Sequence, residues 1–347
     1  MSTVDVVIPC YNYARYLRGC VHSVISQLHV DVRVLVIDDA SSDETSAVGH
    51  ELAAADARVT FRRHETNHGH IATYNEGLIG WSTADYTVLL SADDLLAPGC
   101  LSRAVSIMNA APNIGMVYGR AIHFEREADL PEIDSRDFTF RQWSGAEWLR
   151  LRCRAGHNVI TSPEVVVRGD IQRTAGGYRP ELPHAGDLEM WLRIAALTDI
   201  AYVNRTPQAF YRIHPKSMMR TIYRGSFLDL QQRKAAFDSF FQHDAAAIAN
   251  AHDLHALANR SLAREALWDA CRAYDRNEIA VCRVKELVDF AITTYTNAVS
   301  LPEYAALRRR QWLGPAVCNR TQIFAASALF RKVKRAALKQ RWKHRGV

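Results

Sequence analysis

The chain has 347 residues, 48% hydrophobic and 23% charged, so it can bury a sizeable core and is not a disordered polymer. Eight Lys and Arg side chains between Arg331 and Arg345 outweigh the net charge of +6 and leave the rest of the chain at −2, which excludes a general nucleic-acid-binding character. Seven cysteines, never spaced CxxC, point to free thiols in a reducing compartment rather than to a zinc cluster or disulfide framework.

Met1 runs directly into an apolar segment, without a basic n-region or cleavage site. No window approaches the roughly 18 apolar residues that cross a bilayer. The expectation is a cytoplasmic protein. Val4 to Pro9 predicts a buried strand, and Tyr16, Leu17, Cys20, Val21, Val24, Ile25 and Leu28 mark one side of a helix. Val32 to Ile37 suits a parallel strand covered on both faces. Ser41 and Ser42 read as an N-cap region, with Asp43 and Glu44 in the first turn of the next helix. A weak strand at 59–62, a helix over 69–81, a strand at 86–90, a helix opened by Pro98 and running to Met108, and a strand at 114–118 follow. This alternation predicts a doubly wound, mostly parallel α/β sheet flanked by helices.

Residues 120–215 are mixed. They hold a polar insertion (125–141), a short strand (164–167), a Gly176-Gly177 turn and a helix over 186–198. Beyond about Gly225 the strands cease, and Ala/Leu/Arg-rich segments predict four or five helices broken near Pro302 and Gly314-Pro315. The reading is two regions, 1–224 and 225–347.

In an open parallel sheet, ligands bind beyond the carboxyl ends of the strands. Polar motifs sit at those ends: Pro9-Cys10-Tyr11-Asn12, Asp38-Asp39-Ala40-Ser41-Ser42-Asp43, and Ser91-Ala92-Asp93-Asp94. Neither GxGxxG nor GxxxxGK[ST] is present, which disfavours a dinucleotide oxidoreductase and leaves phosphates needing another countercharge. Asp93-Asp94 supplies a route to one. Adjacent carboxylates at a buried strand end repel each other unless a cation or donors compensate, and Mg²⁺ or Mn²⁺ takes one or two carboxylates plus substrate phosphates. Helix capping is the plainer reading of Asp93-Asp94 and of Asp187, as turn formation is of Asp38-Asp39.

Five segments in order, VVIPCYN (6–12), VIDDASSDET (36–45), NHGHIATYNEG (67–77), LLSADDLLAPG (89–99) and AGDLEMWLRIA (185–195), resemble the family 2 inverting glycosyltransferases of the GT-A fold. The resemblance covers residues 3–217. It implies a UDP-sugar donor, with Pro9 and Tyr11 flanking the base, Asp39 binding its N–H, Asp38 supporting that loop, and Asn67, Gly69 and Asn75 lining the nucleotide pocket floor. The family's DxD motif falls on Ser91-Ala92-Asp93, so its first acid is Ser91 here. Asp93 would carry Mn²⁺ or Mg²⁺, with Ala92 and Asp94 beside the donor; Asn12 belongs to the same donor-binding set. Asp187 falls on the catalytic base, although Gly186 precedes it where the family often has Glu. A carboxylate there fits inverting transfer, which removes the acceptor hydroxyl's proton as its oxygen attacks C1. Glu189 points to another helix face, and Trp191 reads as core or as a sugar-stacking surface. Tyr211-Arg212-Ile213-His214 with Ser217 resembles a closing loop in which Arg212 and His214 hold the departing diphosphate.

The implied partners are a nucleotide-sugar donor and a glycan or lipid-linked acceptor in cell-surface polysaccharide synthesis, with no nucleic acid; no oligomeric state is legible. Residues 324–347 interleave Phe324, Leu329, Phe330, Val333, Leu338 and Trp342 with basic residues. This is the pattern of a helix lying on a membrane surface, here the inner face, or of a solvated terminal helix. Two other readings compete. A sugar nucleotidyltransferase would want a Gly-rich, Arg-containing loop after the first strand, and PCYNYARY lacks it. A non-catalytic nucleotide-sugar-binding scaffold with a degenerate transferase fold is favoured by Ser91 and Gly186.

Overall fold

The computed structural model describes residues 1–134, 137–214 and 226–347. Strand β1 (Thr3–Cys10) is buried on both faces, with Val4, Val6, Val7 and Ile8 fully enclosed and Asp5, also buried, paired with Arg33, and it lies inside the sheet. It pairs in parallel with β2 (Asp31–Asp38), from Thr3↔Asp31 to Cys10↔Asp38, and on its other side with β4 (Tyr86–Leu89). β3 (Val59–Arg63) extends the parallel half beyond β2. Helices α1 (Ala14–Ile25) and α2 (Thr45–Ala55) connect these strands. α1 buries Leu17, Cys20, Val21 and Val24 in the core, each large aliphatic contributing about 1.5–3 kcal/mol.

The second half of the sheet is mixed. β5 (Leu95–Leu96), α4 (Cys100–Ala110), β6 (Ile114–Phe124), β7 (Thr139–Trp143), α5 (Gly145–Ala155), β8 (Val166–Arg168), α6 (Gly169–Ala175), α7 (Gly186–Leu197) and β9 (Asp199–Arg212) follow in chain order, α3 (His70–Asn75) having preceded β4. The sheet order is β3-β2-β1-β4-β8-β6-β9-β5, with β7 paired to β9. β8 is antiparallel to both β4 and β6, whereas β6 and β9 run parallel. All of this except the part of α5 beyond Trp148 lies in a unit of residues 1–148, 158–217 and 344–346.

Several expected elements shift. α2 starts at Thr45 because the Asp43 carboxylate accepts the Thr45 N–H at 3.0 Å, while the Ser42 N–H goes to Asn12 Oδ1 at 2.8 Å. The helix expected over 69–81 is α3 followed by a π-helical turn over Glu76–Trp81. A Cβ on Gly77 would sit 2.2 Å from the Val7 side chain, so only glycine permits that approach to β1. The Pro98 helix begins at Cys100, and Leu95–Leu96 is a strand. β6 runs on to Phe124, beyond the expected end at 118, because it pairs as far as Arg212 with β9, a long strand that the residue pattern does not predict. The strand at 164–167 is Val166–Arg168, and Glu164 belongs to a turn.

The second unit comprises 149–157, 218–343 and 347. Its described helices number six rather than four or five: α8 (Ser226–His243), α9 (Ala251–Arg276), α10 (Val284–Thr294), α11 (Pro302–Leu313), α12 (Pro315–Thr321) and α13 (Ala325–Arg345). Leu230, Phe237, Phe240, Leu262 and Leu267 are fully buried. Arg310 bonds Asp275 at 2.8 and 3.1 Å and lies 3.8 Å over the Phe324 ring. Among the described residues no helix is long and apolar enough to cross a membrane.

Candidate active site

Three strand ends and the start of α7 carry the chemistry. At the end of β2, Asp38 is fully buried; Oδ1 accepts the Ser41 N–H at 2.9 Å and Oδ2 accepts Arg63 Nη1 at 2.6 Å. Asn12, at φ +60°, closes the other side through the Ser41 hydroxyl and the Ser42 N–H. Asp39 accepts the His68 N–H at 2.7 Å and the Gly69 N–H at 2.9 Å and pairs with His64 Nδ1 at 2.8 Å. Burial opposes its ionisation, but these bonds outweigh burial and hold the carboxyl below the usual range. His64 Nε2 meets Glu76 at 2.7 Å, and the two carboxylates raise the imidazole against the pull of burial. Asn67 donates to the Asp39 carbonyl at 3.1 Å, and Gly69 has φ +83°. Pro9 lies partly buried in β1, and Tyr11 stands half exposed just beyond that strand.

After β4, Asp93 and Asp94 are both buried. His214 Nε2 lies 2.9 Å from Asp93 Oδ2, and the Arg212 N–H donates to Asp94 Oδ1 at 2.8 Å. Burial and then the charge of Asp93 push Asp94 well above the carboxylate range. Ala92 is fully buried in the core, so its methyl packs there. Arg212 differs from the closing-loop expectation. Its guanidinium donates to the Asp93 carbonyl, pairs with Glu127, and lies 4.3 and 4.4 Å over the rings of Tyr16 and Phe124. It braces the Asp93-Asp94 turn from behind. His214 sits between Tyr13 and Tyr16, with Nδ1 buried and unpartnered among the described residues. Ser217 lies outside the described residues.

Asp187 is in the first turn of α7, deeply enclosed yet with some accessible surface. Burial raises its pKa, opposed by the Ser162 and Tyr178 hydroxyls and by His70 and His184. Gly186 makes room for Tyr178: a Cβ there would lie 3.2 Å from Tyr178 Cδ1. Asn75 does not point its amide at open pocket; its Oδ1 accepts the Tyr178 N–H at 2.6 Å and its Nδ2 donates to the Tyr178 carbonyl at 2.8 Å. Glu189 pairs with Arg193 at 2.8 Å, away from Asp187, and Trp191 is core. The charges of Asp93, Asp94 and Asp187 all act on Tyr74 and on Tyr211.

Four residues of this site have no role that the sequence predicts. His64 and Tyr178 are described above. Ser162 donates its hydroxyl to Asp187. Glu164, buried, accepts the Thr161 N–H and hydroxyl at 2.8 Å each, and burial pushes it up to about 7. The signal for this turn is Pro163, which favours the second position of a turn and argues against an uninterrupted strand.

A parallel half-sheet with carboxylates gathered beyond its strand ends is the arrangement of an open α/β ligand site. Residues 5–165 match the model of the family described as "Glycosyl transferase family 2". The chain is 30% identical over 209 residues to the chondroitin synthase of Pasteurella multocida, covering 58% of this chain and 20% of that one. Among solved structures it resembles S. aureus TarS 1–349 in complex with UDP-GlcNAc (TM-score 0.63, 14% identity, covering 94% and 92% of the two chains). It also resembles the mannosyltransferase PcManGT from Pyrobaculum calidifontis in complex with GDP-Man and Mn²⁺ (TM-score 0.51, 19% identity, 92% and 87%). At those identities the likeness is one of fold, and the fold is GT-A. The matches span 40% and 65% of the length of the first two curated relatives.

Proposed function

We propose that this chain transfers a sugar from a UDP-sugar to a hydroxyl of a glycan or lipid-linked acceptor, with inversion at C1, in cell-surface polysaccharide synthesis. The observation carrying this reading is that the charges of Asp187, Asp93 and Asp94 all reach Tyr74 and Tyr211, with His214 paired to Asp93 at 2.9 Å. Residues 1–224 would do the nucleotide-sugar and catalytic work. The loop built by Asp38, Asp39, Asn12, Asn67 and Gly69 would receive the nucleoside beside Pro9 and Tyr11, with Asn75 holding the Tyr178 loop against it.

Asp187 would take the acceptor's proton on Oδ1, the oxygen that Ser162 leaves open. The acceptor oxygen bonds to C1 as the bond from C1 to the diphosphate breaks on the opposite face. A carboxyl raised by burial is a stronger base than a solvated one, and enclosure limits hydrolysis.

Among the described residues no three or more His, Cys, Asp or Glu side chains gather as a metal site. A divalent cation still fits, because Mg²⁺ and Mn²⁺ take substrate phosphates as ligands. A carboxylate and an imidazole nitrogen 2.9 Å apart, beside an acid whose ionisation burial and then the Asp93 charge oppose, is a donor set such an ion would complete. Asp93 and His214 would hold Mg²⁺ or Mn²⁺, which supplies positive charge to the departing diphosphate. The relatives' names support this: one makes chondroitin, and two neighbours hold UDP-GlcNAc or GDP-Man with Mn²⁺.

The protein would work at the cytoplasmic membrane face, with 324–347 against the lipid. Ser91 in place of an acid favours a second reading, a nucleotide-sugar-binding scaffold without activity. Transfer and hydrolysis assays over a panel of nucleotide sugars, each with and without Mn²⁺, separate the two. Metal-dependent turnover of a UDP-sugar is expected; binding without turnover of any donor would leave the scaffold.

A further inference from the structure

We propose that Ser162 is a positioning residue for Asp187, held by a braced, strained turn so that its hydroxyl fixes one oxygen of the carboxylate and leaves the other for the acceptor. This rests on Asp187 being the proton acceptor. Three observations carry it.

First, the Ser162 hydroxyl donates to Asp187 Oδ2 across 25 residues of sequence. Second, Ser162 has φ +90°, a conformation natural to glycine and costly for any residue with a side chain. Pro163 follows, which restricts the preceding backbone further. A glycine would relax this strain, so what the position gains from serine is the hydroxyl. Third, the turn is built to keep that conformation. The Val165 N–H closes onto the Ser162 carbonyl at 3.1 Å, and the Glu164 carboxylate grips both the N–H and the hydroxyl of Thr161 at 2.8 Å. Pro163 fixes the turn's second position.

The surroundings leave few substitutes. Ser162 borders a cavity of about 10 Å³, room for a single water, together with Thr87, Tyr178 and Trp191. The Thr87 and Tyr178 hydroxyls and the Trp191 indole N–H are buried there without a completed hydrogen bond among the described residues. The Tyr178 hydroxyl also lies beside Asp187 and, after Ser162, favours its ionised form, but it completes no hydrogen bond there, which leaves Ser162 as the donor in contact.

The test compares Ser162→Gly, Ser162→Ala and Asp187→Asn in the full chain, using the UDP-sugar that supports transfer. Ser162→Gly is expected to melt at or above the wild-type temperature, because strain is relieved. Its kcat is expected to fall about tenfold, the scale of a hydrogen bond to a charged group. The acidic limb of its kcat–pH profile should move up by about half a unit or more, since a donor that favours the carboxylate is gone. Donor KM should stay unchanged. Ser162→Ala should show the same kinetic changes with a lower melting temperature. A Ser162→Gly enzyme with wild-type kcat and acidic limb, or one that melts markedly lower, overturns the proposal. Asp187→Asn separates the two readings. If it is inactive while Ser162→Gly is normal, only the role of Ser162 fails; if it stays active, the base assignment fails and the role of Ser162 with it.

Discussion

His214 Nε2 lies 2.9 Å from Asp93 Oδ2, joining the residue two beyond β9 to the turn between β4 and β5 across 121 positions of sequence. Arg212 reinforces the junction by donating its N–H to Asp94 and its Nε to the Asp93 carbonyl, both at 2.8 Å. The long β9 therefore carries one half of the proposed cation site to the other. His214→Gln and Asp93→Asn should each weaken Mn²⁺-dependent UDP binding by at least about tenfold, with Asp93→Asn the more severe because it removes charge. Calorimetric titration with and without Mn²⁺ checks this. Unchanged metal dependence in both variants would move the cation elsewhere.

Asn75 ties α3 to the loop preceding α7 through two hydrogen bonds to the Tyr178 backbone. Asn75→Ala leaves an enclosed N–H and carbonyl without those partners, a cost of about 1–3 kcal/mol. Thermal unfolding should shift down accordingly, and kcat should fall more than donor affinity, because the loop lies next to Asp187. Equal losses in both would make Asn75 a pocket-floor contact instead.

Glu164 gives a signed pH dependence. Burial raises its folded pKa to about 7 from an ordinary 4.5. Between those values the folded state holds a proton that the unfolded chain has released, so this group stabilises less as pH rises. Glu164→Gln should match wild type near pH 4 and become the more stable protein as pH passes from 4.5 to 7. The gap should then level at no more than ~3 kcal/mol. Chemical denaturation across pH 4–8 reads it. A gap that is constant with pH would mean Glu164 is ionised throughout.

α13 contains no acid, and its inner side is fixed by Arg331, which lies 4.1 Å over the Trp268 ring, and by Arg335, 3.6 Å from Asp269. Leu329, Phe330 and Val333 are 63%, 70% and 59% exposed, with Lys332 and Lys334 exposed among them. Phe330→Asp combined with Val333→Asp should release the protein from vesicles containing phosphatidylserine without altering its melting temperature. Added salt should weaken wild-type binding. Equal co-sedimentation of variant and wild type would reduce α13 to a solvated helix.

The first half of the sheet is legible because its information is local. Val6 to Ile8 and Val34 to Ile37 are continuous apolar runs, and Asp38-Asp39 and Asp93-Asp94 stand beyond the strand ends where an open sheet places its ligands. What stayed hidden depends on distant partners. β9 reads as ordinary alternating sequence until its pairing with β6 is known. Ser162 and Glu164 lie beside a valine run that suggests strand, and only the contact with Asp187 gives Ser162 a role. Arg212 looks like a diphosphate ligand in sequence, whereas Tyr16, Phe124 and Glu127 claim its guanidinium. Asn75 reads as pocket lining for the same reason, since Tyr178 is 103 residues away.

The most direct check is a paired measurement on Asp187→Asn: the single-turnover transfer rate, and the affinity for UDP with Mn²⁺. The account predicts a rate at least about a thousandfold lower with nucleotide affinity within about threefold of wild type, because the amide cannot accept the acceptor's proton while the donor loops are untouched. Transfer within about tenfold of wild type would contradict it, since the carboxylate in the first turn of α7 would then not be the base.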